Sequence, residues 1–263
     1  MNHIDQPLRL SVGSHKAGSG KGCAMNVVSW ENGDTTITDM PACADPMLAR
    51  IVQRINDSYC THTTDGLLCP ECSIMVLELA HRTVGTGLID LTDGERRQVW
   101  VKVAVDQARS VLHLASAKDR PKAIAAIEAA QAWADDPSEI NRLRAATYAA
   151  SAAAAASAAS ADYAYAAASA SYAASAAYAY PDTYAAYAAS AAAYAYPDTY
   201  PDTYAAYAAY NAYAAAAAAT AYAAASTYTA HRAIDVFCKL TGFTPTPTPV
   251  ETTIDAYRKM VTV

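Results

Sequence analysis

The sequence has few of the large side chains that usually fill a hydrophobic core. Its 263 residues are 53% hydrophobic, yet they include only 2 Phe and 3 Trp. Much of the apolar share is alanine, which buries little area per residue. The mean hydropathy is +0.02, and Pro, Asp, Ser and Tyr interrupt the apolar runs. We therefore expect no membrane-spanning segment and no interaction with a membrane.

Positive charge is also in short supply. The net charge is −6, with 19 Lys and Arg against 25 Asp and Glu. Binding to a nucleic acid duplex needs clustered Lys and Arg, so the composition disfavours such a partner. The first residues lack the basic start and apolar run of a signal peptide, which predicts a cytoplasmic protein.

Sequence motifs of common catalytic sites are missing. The sequence contains neither Gly-x-Ser-x-Gly nor His-Glu-x-x-His, and its carboxylates are scattered. The glycine-rich loop at 13–22 fails the P-loop pattern, because His15 takes the first glycine position and Gly22 follows Gly20-Lys21. That loop is a surface turn or an anion-binding loop carrying Lys16 and Lys21. His113 is expected to be a buried mid-helix histidine rather than a base, and we predict that the protein is not an enzyme.

Positive charge disappears from the middle of the chain, where the only acids are Asp162, Asp182, Asp198 and Asp202. Residues 145–230 contain no Lys or Arg, and all tyrosines except Tyr59 and Tyr257 lie within that stretch. Tyr-Ala-Tyr-Pro-Asp-Thr-Tyr occurs at 178–184 and again at 194–200, and Pro-Asp-Thr-Tyr follows at 201–204. The sequence therefore divides into a mixed N-terminal domain (1–144), an Ala/Tyr-rich repeat region (145–243) and a Pro-rich spacer with a terminal helix (244–263).

The fold class indicated by these patterns is mainly α, with a small β element near the N-terminus. Alanine propagates helix, and the Pro-Asp-Thr turns separate one helix from the next. In the helix at 46–58, one apolar face consists of Met47, Leu48, Ile51, Val52 and Ile55. The predicted helices are 46–58, 72–82, 94–117, 121–134, about 139–160, 162–180, 183–196, 203–240 and 251–260, and the predicted strands are 8–12 and 25–30.

Helices without charged faces are expected to be buried against other helices or against a partner. A solvated helix normally exposes Lys and Glu on its outer side, whereas both faces of the Ala/Tyr helices are Ala, Ser or Tyr. We expect a packed helical array, with self-association or a partly disordered tract as alternatives. The final helix follows a polyproline spacer at 244–249 and is expected either to dock on its own chain or to engage a partner.

The six cysteines point to a metal rather than to disulfides, since no export signal accompanies them. Cys69-Pro-Glu-Cys72 is a two-residue spacing that suits tetrahedral zinc at a loop-to-helix junction. Cys60 and either His62 or His81 complete four ligands, and we select Cys60, Cys69, Cys72 and His81 as a structural zinc site. Unligated thiols and a redox pair are the alternatives.

Two resemblances follow from these motifs. The segments at 13–25, Asp39–Cys43 and Arg82–Thr86, with Arg258-Lys-Met260 at the end, resemble a family of actinobacteriophage and actinobacterial alanine-rich-repeat proteins. That resemblance implies an N-terminal helical domain, a repetitive alanine-rich tract and a short terminal helix, without an established activity. The stretch at about 118–160 is similar to alanine-rich immunity proteins of polymorphic-toxin systems, which implies binding to a toxin.

The function expected from the sequence is binding rather than chemistry. The leading hypothesis is a phage-type interaction protein that blocks a host or competitor effector in an immunity or anti-defence role. Its contact surface with a protein partner is assigned to Tyr184, Tyr187, Tyr204 and Tyr207, because tyrosine is enriched at interfaces. A nucleotide sponge with a Tyr-lined pocket and a self-assembling homo-oligomer are the alternatives.

Overall fold

The chain is mainly helical. The computed structural model describes residues 8–13, 15, 19–58, 60, 63–114, 117–118, 120–158, 230–246 and 250–262, and these residues contain helices but no strand. The helices are α1 (Ala24–Glu31), α2 (Pro46–Ser58), α3 (Pro70–His81), α4 (Asp93–Val111), α5 (Arg120–Asp135), α6 (Glu139–Ala158), α7 (230–241) and α8 (Val250–Thr262). Two 3₁₀ turns, Thr86–Leu88 and Leu112–Leu114, complete the regular structure described.

The helices group into two compact units. The first unit comprises Met1–Ile89 together with Thr244–Val263, and the second comprises Asp90–Phe243. The change of composition at residue 145 therefore falls within α6, inside the second unit. The predicted helices between 159 and 229 lie outside the described residues.

Helices α1, α2, α3 and α8 pack together in the first unit. The five apolar residues predicted for one face of α2 are all buried, whereas Arg50 and Arg54 are exposed. That prediction is confirmed, because the 3.6-residue period of a half-buried helix is unambiguous over 13 residues.

The predicted strand at 25–30 is wrong, since these residues form most of α1. Residues 24–29 are buried on every side, and a short apolar run of this kind has no periodicity that distinguishes strand from helix. Asn26 Oδ1 accepts the Cys23 N–H at 3.1 Å and closes the first turn of the helix.

The predicted strand at 8–12 is reduced to a single bridge between Ser11 and Leu67. Its partner is a tight hairpin in which Thr64 and Leu67 exchange both backbone hydrogen bonds. Asp65 and Gly66, with φ of 56° and 72°, supply the left-handed conformations that such a turn requires.

The segments at 39–44 and 82–87 lie against each other in the first unit. The backbone N–H groups of Gly85 and Gly87 both donate to the Cys43 carbonyl, at 2.8 and 3.0 Å. A Cβ on Gly87 would lie 2.8 Å from the Ala44 carbonyl oxygen and closer still to that of Ala42. Glycine is thus required at position 87 by the close approach of the two backbones.

The second unit is built on α4, which contacts α5, and on α5, which contacts α6. Thr92 and Glu95 form a capping box at the start of α4. Helix α4 ends at Val111 and continues only as a 3₁₀ turn, so it is shorter than the predicted 94–117.

The contacts that join α7 to α4 include an aromatic pair and an ion pair. The rings of Trp100 and Phe237 lie 5.2 Å apart between centroids. Arg232 donates to both carboxylate oxygens of Asp106, from Nε at 2.6 Å and from Nη2 at 2.9 Å. The C-terminal end of the Ala/Tyr-rich region is therefore anchored to α4.

Helix α8 docks on α1 and α3. This confirms the expectation that the final helix docks on its own chain. The Tyr257 hydroxyl donates to the Arg9 carbonyl at 2.7 Å, and Met260 is 1% exposed. None of the helices among the described residues is both long and apolar enough to cross a membrane.

Candidate metal centre

Three cysteines from two parts of the first unit converge. Cys60 follows α2, Cys69 is the N-cap residue of α3, and Cys72 lies in the first turn of α3. Their Sγ atoms all lie within 4.8 Å of one another. Pro70 at the first helical position starts α3 directly after Cys69, so Cys69 and Cys72 lie one turn apart on the same side of the helix.

Hydrogen bonds fix the loop that joins Cys60 to Cys69. The Cys69 N–H donates to Cys60 Sγ at 3.3 Å, and the Thr63 hydroxyl donates to the Cys60 carbonyl at 2.6 Å. The tight turn at Asp65-Gly66 reverses the chain between the two cysteines. The convergence of the sulfurs is therefore built into the backbone of this loop.

Ionisation of the three thiols would be coupled to the binding of a cation. Burial, followed by the adjacent Cys69 and Cys60 side chains, raises the pKa of the Cys72 thiol above its ordinary range. Three thiolates this close repel one another, and a divalent metal removes that repulsion while the thiols release their protons. The N-terminus of α3 adds a positive partial charge beside Cys69 and Cys72.

The donor set and its spacing suit zinc. Tetrahedral zinc with Zn–S bonds of about 2.3 Å places sulfur ligands about 3.8 Å apart, which the cluster accommodates within its 4.8 Å limit. Thiolate ligands also select zinc over magnesium or calcium, which prefer oxygen. The described residues therefore bring together three sulfur atoms that could hold a metal ion.

His81 does not lie with the three cysteines. It is the last residue of α3, nine positions after Cys72, which is about 13 Å along the helix axis. Its Nε2 lies 2.6 Å from Glu31 Oε2 instead, and its side chain is 8% exposed. The selection of His81 as fourth ligand is thus corrected by the geometry, because Cys72 and His81 occupy opposite ends of one helix. His62, the other candidate, lies outside the described residues.

The remaining cysteines stand apart from this cluster. Cys23 and Cys43 are buried in the first unit, and Cys238 is buried on α7 in the second. Burial raises the pKa of Cys43 and raises that of Cys23 to about 11. None of the six cysteines, all of which belong to the described part of the chain, forms a disulfide.

The other residues for which the sequence predicted a role are His113, the glycine-rich loop and four tyrosines. His113 is exposed in a 3₁₀ turn, so its predicted burial within a helix is wrong. In the glycine-rich loop, the Gly13 N–H already donates to the Asp57 carboxylate at 2.7 Å, and Lys16 lies outside the described residues. Tyr184, Tyr187, Tyr204 and Tyr207 also lie outside them.

Sequence reasoning missed the residues that support the cysteine cluster. Arg9 and Ser73 hold the loop and α3 to the segment at 8–10 through hydrogen bonds to backbone atoms. Bonds of this kind have no sequence signature, because any polar side chain of suitable reach can make them. The chain matches no protein-family model, no curated protein and no solved structure.

Proposed function

We propose that the chain is a non-enzymatic, phage-type interaction protein that binds and blocks a host or competitor effector in an immunity or anti-defence role. One structural observation supports the proposal. The Ala/Tyr-rich sequence at 159–229 follows α6 and precedes α7, and both of these helices belong to the second unit. Both flanks of a tyrosine-rich segment without Lys or Arg are thus held by one helical unit, which is a suitable scaffold for presenting it to a partner.

The composition of that segment suits protein recognition. Tyrosine provides a large apolar ring with a polar end at low entropic cost, and the absence of Lys and Arg favours desolvation. We assign the contact surface to Tyr184, Tyr187, Tyr204 and Tyr207, which flank the Pro-Asp-Thr turns.

The test compares two sets of tyrosine substitutions. A partner that co-purifies from infected cells is identified and purified, and its affinity is measured by calorimetry. Replacing Tyr184, Tyr187, Tyr204 and Tyr207 with Ala should weaken binding by about 30-fold or more, since interface hot spots contribute ~2 kcal/mol each. The matched control replaces Tyr163, Tyr165, Tyr172 and Tyr178 with Ala and should bind as the wild type does.

Three results would contradict this proposal. Equal affinity of the two variants would show that the contact surface is misplaced. A nucleotide released from the purified protein would favour a ligand sponge. Concentration-dependent growth in light scattering, without a partner, would favour self-assembly.

We also propose that Cys60, Cys69 and Cys72 hold a structural zinc ion and that the protein works in the cytoplasm, where unbridged thiols remain reduced. The convergence of three sulfurs within 4.8 Å supports the zinc site.

Elemental analysis should find one zinc ion per chain, and a cobalt-substituted sample should show sulfur-to-metal charge-transfer absorption. The Cys72→Ser variant should lose the metal, whereas Cys238→Ser and His81→Asn should retain it. Absence of zinc from the wild type, or retention of zinc by Cys72→Ser, would contradict the proposed site.

A further inference from the structure

We propose that the metal site controls the docking of the terminal helix α8 through the segment at 8–12. This inference rests on the zinc ion proposed above. It is carried by a continuous set of hydrogen bonds that runs from Cys69 to Tyr257 within the first unit.

The first link joins α3 to the N-terminal segment. The Ser73 hydroxyl donates to the Cys69 carbonyl at 2.9 Å and accepts the Leu10 N–H at 3.0 Å. Ser73 and Leu10 are both fully buried. Because water cannot replace these partners, the position of Leu10 depends on the start of α3, where two of the three sulfurs lie.

The second link joins the cysteine loop to the same segment. Arg9 Nε donates to the Leu68 carbonyl at 3.0 Å, and Arg9 Nη2 donates to Thr64 Oγ1 at 2.6 Å. The Leu68 N–H donates back to the Leu10 carbonyl at 2.8 Å. Residues 64–68 lie between Cys60 and Cys69, so a metal that ties these cysteines together also fixes the atoms that hold Arg9.

The third link reaches α8. The Arg9 carbonyl accepts the Tyr257 hydroxyl at 2.7 Å. One turn further along α8, the Met260 side chain packs so closely on Gly22 that a Cβ at position 22 would clash with it. The Gly22 carbonyl in turn accepts the Ser11 N–H at 2.9 Å. These two contacts of α8, beside its packing on α1 and α3, therefore involve the segment at 8–12 or a residue bonded to it.

Loss of the metal frees Cys60 from Cys69 and Cys72 and loosens the loop that positions Arg9. The Tyr257 hydrogen bond weakens as a consequence, and α8 separates from α1 more often. Zinc-bound protein thus keeps the apolar side of α8 covered, and zinc-free protein exposes the buried Met260 side chain.

The test uses hydrogen exchange of the full-length protein under reducing conditions, with zinc and after chelation. We expect the amides of α8 to exchange about fivefold faster after chelation, which corresponds to the loss of one hydrogen bond. Exchange in α2 and α3 should rise less, and exchange in α4 and α5 should not change. Tyr257→Phe should bind zinc normally, show fast exchange in α8 already with zinc, and respond little to chelation.

The Cys238→Ala variant is the matched control, because it loses a buried cysteine of the second unit and should respond to chelation as the wild type does. Three results would overturn the inference. If zinc leaves and α8 keeps its protection, the coupling is wrong although the zinc site stands. If elemental analysis finds no zinc in the protein, the zinc site itself is wrong. If α2, α3 and α8 lose protection together and equally, zinc stabilises the whole unit and does not act on α8 selectively.

Discussion

Gln107 is a polar residue in a buried position. Its side chain is fully buried on α4, and within the described part of the chain neither amide atom has a hydrogen-bond partner. A buried amide without partners costs about 1–3 kcal/mol of stability. Methionine has a similar shape without the amide, so a Gln107→Met variant should be more stable than the wild type by about that amount in urea denaturation.

Gln131 on α5 provides the control for this prediction. Its Nε2 donates to Asp135 Oδ2 at 3.0 Å, so Gln131→Met removes a hydrogen bond that is made. That variant should lose about 0.2–0.5 kcal/mol of stability. A destabilised Gln107→Met variant would show that the Gln107 amide is satisfied by a group outside the described residues.

Because of Cys23, the stability of the first unit should decrease as the pH rises above 9. Burial, helped by the negative charges of Asp39 and Asp57, raises its pKa from the ordinary 9.0 to about 11. Below pH 9 the thiol is neutral in both the folded and the unfolded chain. Between pH 9 and 11 only the unfolded chain ionises, so stability should fall by about 1.4 kcal/mol per pH unit for this group.

The Cys23→Ala variant isolates that contribution. Its stability, measured by urea denaturation with a reducing agent, should run parallel to that of the wild type from pH 6 to 8. Above pH 9 the stability of the variant should fall less steeply with pH than that of the wild type. The two slopes should differ by about 1.4 kcal/mol per pH unit, which is the contribution of one proton. Identical slopes above pH 9 would mean that the Cys23 thiol ionises as readily in the folded protein as in the unfolded chain.

At the scale of helices, periodicity was informative only where a helix has one buried and one exposed side. Helix α2 has such sides and was predicted with its bounds, Pro46–Ser58. Helix α1 is buried over residues 24–29 and was mistaken for a strand. The Cys-Pro-Glu-Cys spacing predicted correctly that Cys69 and Cys72 lie close together, whereas the length of α3 was needed to see that His81 lies at the other end of the helix.

Helix α7 is the element whose packing fixes the end of the Ala/Tyr-rich region, and Phe237 is its main anchor. Phe237 is fully buried against Trp100. Phe237→Ala should therefore cost about 3–5 kcal/mol in the free energy of unfolding, followed by tryptophan fluorescence in urea.

Leu240 on the same helix gives the comparison, because it is 41% exposed. Leu240→Ala should change the stability by no more than about 0.5 kcal/mol. Similar losses for the two variants would indicate that α7 is covered on both sides, contrary to the exposure of Leu240.

At the scale of the whole molecule, composition and compactness divide the chain differently. Composition changes at residue 145, whereas the compact units meet between Ile89 and Asp90, and the terminal segment joins the first unit. Composition reports which side chains a segment carries, but it contains no information on which distant segment covers them. The contact of Tyr257 with Arg9, 248 positions apart, illustrates the kind of pairing that one sequence cannot reveal.

The proposal of a partner depends finally on the segment at 159–229, which has four Asp but no Lys or Arg. The helices predicted for this segment are rich in Ala and Tyr and have few charged residues to face solvent, so we expect them to pack on themselves or on another molecule. Hydrogen exchange should therefore show protected amides in this segment in the isolated protein, in the partner complex, or in both. The amides of α4 provide the internal reference for protection. Protection that grows with protein concentration would identify another copy of the chain as the cover, and protection that appears only with the effector would identify the effector. Free exchange throughout 159–229 in both samples would remove the physical basis for the proposed contact surface.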